Sequence, residues 1–219
     1  MPSTFSNLGL TIQATGENSG TWGDLTNVNL QRIDNAIAGV IAVALTGNTT
    51  LAFSTNSAST TFTDEAGRNQ VILFTGSLAG STATVTLPNI EKQYYIQNNA
   101  GASVILTAGS GAATYTVQSG KDAIVFVDGS DEVANAIDNL QLGSLDVLAQ
   151  GEVRFQDTAG GQYIGLRSAG TVSASFTLTL PSADGSSGQA ITTNGAGVLS
   201  FSSAGISTGK AIAMAMVFG

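Results

Sequence analysis

Hydrophobic and polar positions along the chain change period several times, and each change predicts an element. Leu8, Leu10 and Ile12 alternate with Gly9 and Thr11, a short strand signal inside an N-terminal arm over residues 1–23. Residues 24–38 shift to a helical period. Asp24 is placed to cap the start and Gly39 to follow the end. Leu30, Ile33 and Ile37 fall on one face, with Asn27, Gln31, Arg32 and Asn35 at polar positions, so the helix must dock its apolar stripe on something. From residue 41 to 137 short β runs recur: 43–45, 50–53, 60–63, 71–74, 83–87, 94–97, 103–106, 115–117 and 123–127, with turn signals such as Asn99-Ala100-Gly101 and Asp128-Gly129 between them. Such spacing predicts a sandwich or barrel. The run 71–74 is continuously apolar and reads as a buried strand.

The alternation stops over residues 131–149, where Leu140, Leu142, Leu145 and Leu148 fit a helical turn or an irregular linker. A second β region follows, with strands expected at 152–155, 163–166, 175–180, 189–192 and 197–201, and turns at Ala159-Gly160-Gly161, Asp184-Gly185 and 194–197. Each of these strands supplies only two or three large apolar residues. About fifty residues of this kind cannot enclose a core of their own. Packing against copies of the same chain in a closed symmetric assembly would supply the missing burial. At the C-terminal end, residues 211–218 alternate small and large side chains. Read as a strand, they put Ile212, Met214 and Met216 on one side and Ala211, Ala213 and Ala215 on the other. The expected organisation is an arm with a docking helix over 1–40, a β-sandwich-like domain over 41–138, and a β-rich region over 139–219 ending in an oligomerising strand. The stretch 84–88 followed by 98–106 echoes 177–181 followed by 194–199, a likeness that shared strand–turn–strand grammar explains.

Composition narrows the function classes. Charged residues make up 10% of the 219, against about 25% in an ordinary globular chain, and Gly numbers 27. Ser, Thr, Asn and Gln must therefore solvate the surface, as in extracellular β-proteins. The net charge is −8 and the 7 basic residues are scattered, which argues against binding a phosphate backbone. Neither Cys nor His is present. That excludes disulfides, thiolate chemistry, Ser-His-Asp triads and nearly all zinc sites. The opening residues have neither a basic segment nor an apolar one, so no signal peptide is expected, and the apolar run at 211–218 is too short to span a bilayer.

Three patterns could carry chemistry, and each has a plainer reading. Asp128, Asp131 and Glu132 offer oxygen ligands, but the calcium-loop pattern is missing and a solvated acidic turn suffices. Glu152 with Asp157 could be cast as a glycosidase pair, but no aromatic-lined groove accompanies them, aromatics being 6%. Lys210 after Gly209 lacks the upstream glycine pattern of a phosphate loop. No catalytic, cofactor-binding or metal-ligating residue is assigned, and an enzyme is not expected.

Two stretches carry a family likeness. The run GENSGTWGD at 16–24, continuing as TNVNLQRIDNAI at 26–37, resembles the start of tail-fibre-like proteins of marine phages. The run LTLPSADGSSGQAITTNGAGVLSF at 178–201 looks like segments of phage fibre shafts and collars, and the tail GISTGKAIAMAMVF at 205–218 resembles the C-termini of such marine-phage proteins. The resemblance covers about a third of the chain and leaves 41–137 unmatched. It implies a virion localisation and a homotrimer, joined at one end to other virion proteins of the tail or capsid and often touching a host-surface glycan or protein at the other. A capsid decoration or head fibre, and a carbohydrate-binding or depolymerising tailspike, are the alternatives. Trp22, Leu30, Ile33 and Ile37 are the expected docking face. Ile212, Met214, Met216 and Phe218 are the expected oligomer contact.

Overall fold

The computed structural model describes residues 2–55, 58–78, 80–110, 113–137, 140–158, 161–203 and 208–218; the Ala159-Gly160 part of one expected turn and the Lys210 side chain lie outside them. The chain is mainly β and divides into two compact units, Met1–Ser144 and Leu145–Gly219.

The first unit begins with a small antiparallel hairpin, β1 (Thr4–Phe5) and β2 (Thr11–Ile12), shorter than the alternation at 8–12 predicts. Gly9 ends the pattern early: its φ is +68°, and a Cβ there would lie 2.2 Å from the Ser54 carbonyl oxygen. Only glycine fits both constraints. Helix α1 (Trp22–Ala38) starts two residues before the expected position, with Thr21 rather than Asp24 at the cap. Asp24 instead sits in the first turn, where a carboxylate complements the helix dipole. The helix stops at Gly39, whose missing Cβ leaves room for the Asn35 carbonyl, 2.5 Å from where a Cβ would stand.

Beyond it the chain alternates between two sheets. Strands β3 (Val40–Ala44), β5 (Val71–Thr75) and β7 (Glu91–Asn98) are parallel neighbours in a five-stranded sheet of order β11-β10-β7-β5-β3. Strands β4 (Thr49–Thr50), β6 (Ala83–Leu87) and β8 (Val104–Ala108) are parallel neighbours in a four-stranded sheet of order β4-β6-β8-β9. Parallel neighbours cannot be joined by a tight turn. Here each crossover is a visit to the opposite sheet. Strands β9 (Tyr115–Val117), β10 (Lys121–Asp128) and β11 (Val133–Asn135) close the unit with antiparallel pairings.

The alternation seen in the sequence places every second residue inside. Ile72, Phe74, Tyr94, Ile96, Val125 and Val127 from one sheet meet Val85, Leu87, Val104 and Leu106 from the other in a single apolar cluster. Residues 60–63, expected as a strand, are irregular, and of 50–53 only Thr50 is in a strand. Strand β11 was not expected. Its three residues gain their place by pairing with Val125, Phe126 and Val127.

The second unit holds two separate hairpins, β12 (Val153–Gln156) with β13 (Tyr163–Leu166), and β14 (Gln189–Thr193) with β15 (Leu199–Ser203). Residues 140–148 are irregular, the linker rather than the helical turn. The expected strand at 175–180 is reduced to one parallel bridge, Thr179 to Val198. The expected C-terminal strand is a helix, α2 (Thr208–Phe218). Ala and Met are strong helix formers, and residues 211–216 contain a single β-branched side chain, Ile212. Intrinsic preference overrides the two-residue alternation.

Candidate interaction surfaces

Helix α1 meets its own unit with a different face from the expected docking stripe. Leu25, Val28 and Arg32 are buried, at spacings that put them on one stripe. Arg32, read from the sequence as a polar surface position, is only 5% exposed. Its guanidinium donates to the Gly9 carbonyl at 2.7 Å. One turn earlier, Asn29 binds the arm like a strand partner. It accepts from the Thr11 N–H at 2.9 Å and donates to the Thr11 carbonyl at 2.8 Å. The helix thus supplies hydrogen-bonding partners to the arm, whose backbone has few of its own.

A second buried guanidinium continues this clamp. The Arg68 side chain is fully buried. It donates to the carbonyls of Leu8 and Ser54, pairs with Glu65 at 2.6 Å, and lies 4.6 Å from the centre of the Phe53 ring. Burial alone would raise the Glu65 carboxyl. Hydrogen bonds from Ser54 and from Arg68 outweigh it and hold that carboxyl below its ordinary value. Lys92, also buried, donates to the Ala36 carbonyl at 3.3 Å and stands over the Tyr94 ring. Burial, helped by the positive charge of Arg68, lowers its ammonium to about 8. Tyr94 donates to the Gly67 carbonyl at 2.8 Å, and burial raises its phenol. These groups all have structural partners, and they fasten arm, helix and sandwich together. The sequence signal for them was faint: each basic residue has an acidic neighbour within four positions, as an ordinary solvated charge pair does.

Of the expected docking face, Trp22, Leu30 and Ile37 are left exposed by the described residues of the chain. Ile33 is half-buried; Leu30 is 58% and Ile37 71% exposed. Leu30, Ile33 and Ile37 do share one helix face, and Val40, at the start of the edge strand β3, is exposed as well. In α2 the helical geometry separates what a strand would align. Ile212 and Met216, four residues apart, stay on one side and Met214 turns away, while Met216 and Phe218 are each 83% exposed. From Ala211 to Phe218 every side chain is apolar, so this stretch of α2 has no polar face to turn to water.

The acidic residues are occupied locally. Asp128 accepts from the N–H groups of Ser130 and Glu132, and Asp131 accepts from Asn89 and Ser110. Glu152 pairs with Arg154 at 2.8 Å and with Arg167 at 3.7 Å, and Asp157 accepts from the Thr158 N–H. Among the described residues no group of three or more His, Cys, Asp or Glu side chains is placed to hold a metal. No described helix is long and apolar enough to cross a membrane.

The feature missed from the sequence is the two-sidedness of the C-terminal hairpins. In β12–β13, Val153 stands opposite Leu166 and Phe155 opposite Ile164, so all four share one face. The other face carries Arg154, with Glu152 beside it and its guanidinium 4.4 Å from the centre of the Tyr163 ring. In β14–β15, Ile191 stands opposite Phe201 and Thr193 opposite Leu199, while Ala190, Thr192, Ser200 and Ser202 form the polar side. Among the described residues from 145 to 218, none is buried. The strands were legible, but combining them into faces required the register. Comparisons with protein families, with curated proteins and with solved structures return no match to this chain.

Proposed function

We propose that this chain is a non-enzymatic structural subunit of a phage virion, of the tail-fibre or attachment type, working as a homotrimer that joins the particle to a fibre or to the host surface. One observation carries the reading: residues 145–218 form regular hairpins and a helix yet bury no side chain among those described, while a complete core fills the preceding unit. Secondary structure without a core is stable only when something else covers it. The resemblance of 16–37, 178–201 and 205–218 to fibre proteins supplies the setting, and the charge-poor, Ser/Thr-rich surface agrees with it.

The trimer follows the same family likeness, with symmetric closure leaving no apolar patch open. The test has two arms. Native mass measurement at micromolar concentration should give a trimer, and a stable monomer would overturn the reading. Antibody labelling of intact particles should decorate the tail. Decoration of the capsid would move the protein to the head-fibre alternative, and absence from the particle would remove the virion assignment altogether.

A further inference from the structure

The register of the C-terminal hairpins identifies a specific contact. We infer that the apolar face formed by Val153, Phe155, Ile164 and Leu166 packs against a second copy of this chain, while the Arg154 face stays in water. The inference rests on the self-association proposed above and goes beyond it by naming the surface.

The four side chains stand in two directly opposed pairs, with exposures that reach 73% at Ile164. A lone two-stranded hairpin is marginal in water; it needs more strands or a packed face. The opposite face already shows what a solvated side looks like in this chain: an ion pair, a second carboxylate–guanidinium contact and a cation stacked on Tyr163. Nothing comparable lies among Val153, Phe155, Ile164 and Leu166.

Area and charge point to the same chain as the occupant. More than a dozen large apolar side chains are exposed between 145 and 218. At on the order of 100 Å² of apolar surface each, they exceed the ~800 Å² per partner of a standard interface. One interface of that size would leave part of the apolar surface wet, whereas two neighbours per copy can cover it. Identical copies around an axis also bring identical charges together, a cost that sparse charge avoids. From 168 to 209 the only charged residue is Asp184.

The chain has no cysteine, so one introduced thiol reports one position. In the full-length protein purified alone, maleimide labelling of Ile164→Cys should run about tenfold or more slower than that of Gln156→Cys, because a thiol inside a packed interface reacts only when it opens. Both should react alike once the protein is dissociated in denaturant. An oligomer in which Ile164→Cys labels as fast as Gln156→Cys would overturn the assignment of this face and leave the structural role standing. A monomer by mass would overturn both. Should the Cys variants fail to assemble, hydroxyl-radical footprinting of the unsubstituted oligomer gives the same decision: protection of Phe155 with Tyr163 open supports the face, and the reverse sinks it.

Discussion

At the scale of single residues, three of the chain's 7 basic side chains lie inside the first unit. Arg32, Arg68 and Lys92 are all buried and all donate to backbone carbonyls. A buried cation costs stability unless its donors are used. These arginines repay that cost by satisfying an arm that has only two short strands of its own. Lys92 is the group whose balance can be read in solution. The unfolded chain holds its proton up to about 10.5, while burial and the charge of Arg68 lower the folded value to about 8. Between these limits the unfolded state binds more protons, so stability rises with pH. Tyr94 sets the upper end. Its phenol is raised in the fold, so above pH 10 the unfolded state loses protons first and stability falls again. The first unit should therefore gain stability from pH 8 to 10, by at most roughly 3 kcal/mol. Urea titrations at half-unit pH steps would show the rise, and Lys92→Met should flatten it. A flat wild-type profile over that window would mean that Lys92 stays charged in the fold.

Among the elements, helix α1 shows how far a hydrophobic pattern can be trusted. The stripe Leu30, Ile33 and Ile37 was legible and was expected to dock, but the face that the helix turns to its own unit was not legible. The structure gives that place to Leu25, Val28 and Arg32, because the adjoining arm presents carbonyls and N–H groups that Asn29 and Arg32 satisfy. Periodicity reveals a helix and its faces, but backbone hydrogen-bonding demand decides which face turns inward. Leu25→Ala should cost the first unit about 2–4 kcal/mol, as a large-to-small core change does. Leu30→Ala and Ile37→Ala should stay within about 0.5 kcal/mol, as surface changes do. Equilibrium unfolding of the purified protein distinguishes them. A Leu30→Ala cost as large as that of Leu25→Ala would place the stripe against another copy. The same limit of pattern reading appears in α2, where alternating Ala and large residues imitate a strand although Ala and Met prefer a helix. Inside the first unit, the apolar runs at 71–74 and 123–127 and the alternation at 83–87 marked strands, and one side of each faces a single core. The parallel pairing of 71–74 and of 83–87 was not legible. It depends on which sheet each strand joins, and that choice is made by contacts far apart in the chain.

For the whole molecule, the contrast between the two units becomes a statement about cooperativity. The core of Met1–Ser144 is closed by residues of one chain, so its unfolding should not depend on protein concentration. The described residues from 145 to 218 bury nothing by themselves, and if copies complete them their folding is coupled to association. Mass action then raises the apparent stability of that unit with concentration, while a unit that folds alone gains nothing. Hydrogen exchange followed across a hundredfold dilution separates the cases. Amides of the β12–β13 and β14–β15 hairpins should lose protection as the protein is diluted, and those of β7 and β10 should keep it. Equal, concentration-independent protection in both units would show that the hairpins hold themselves together. The exposed apolar faces would then be surfaces for something other than this chain. The dilution series thus asks whether a sequence too poor in large side chains to enclose a core can still specify one, by distributing it among identical copies.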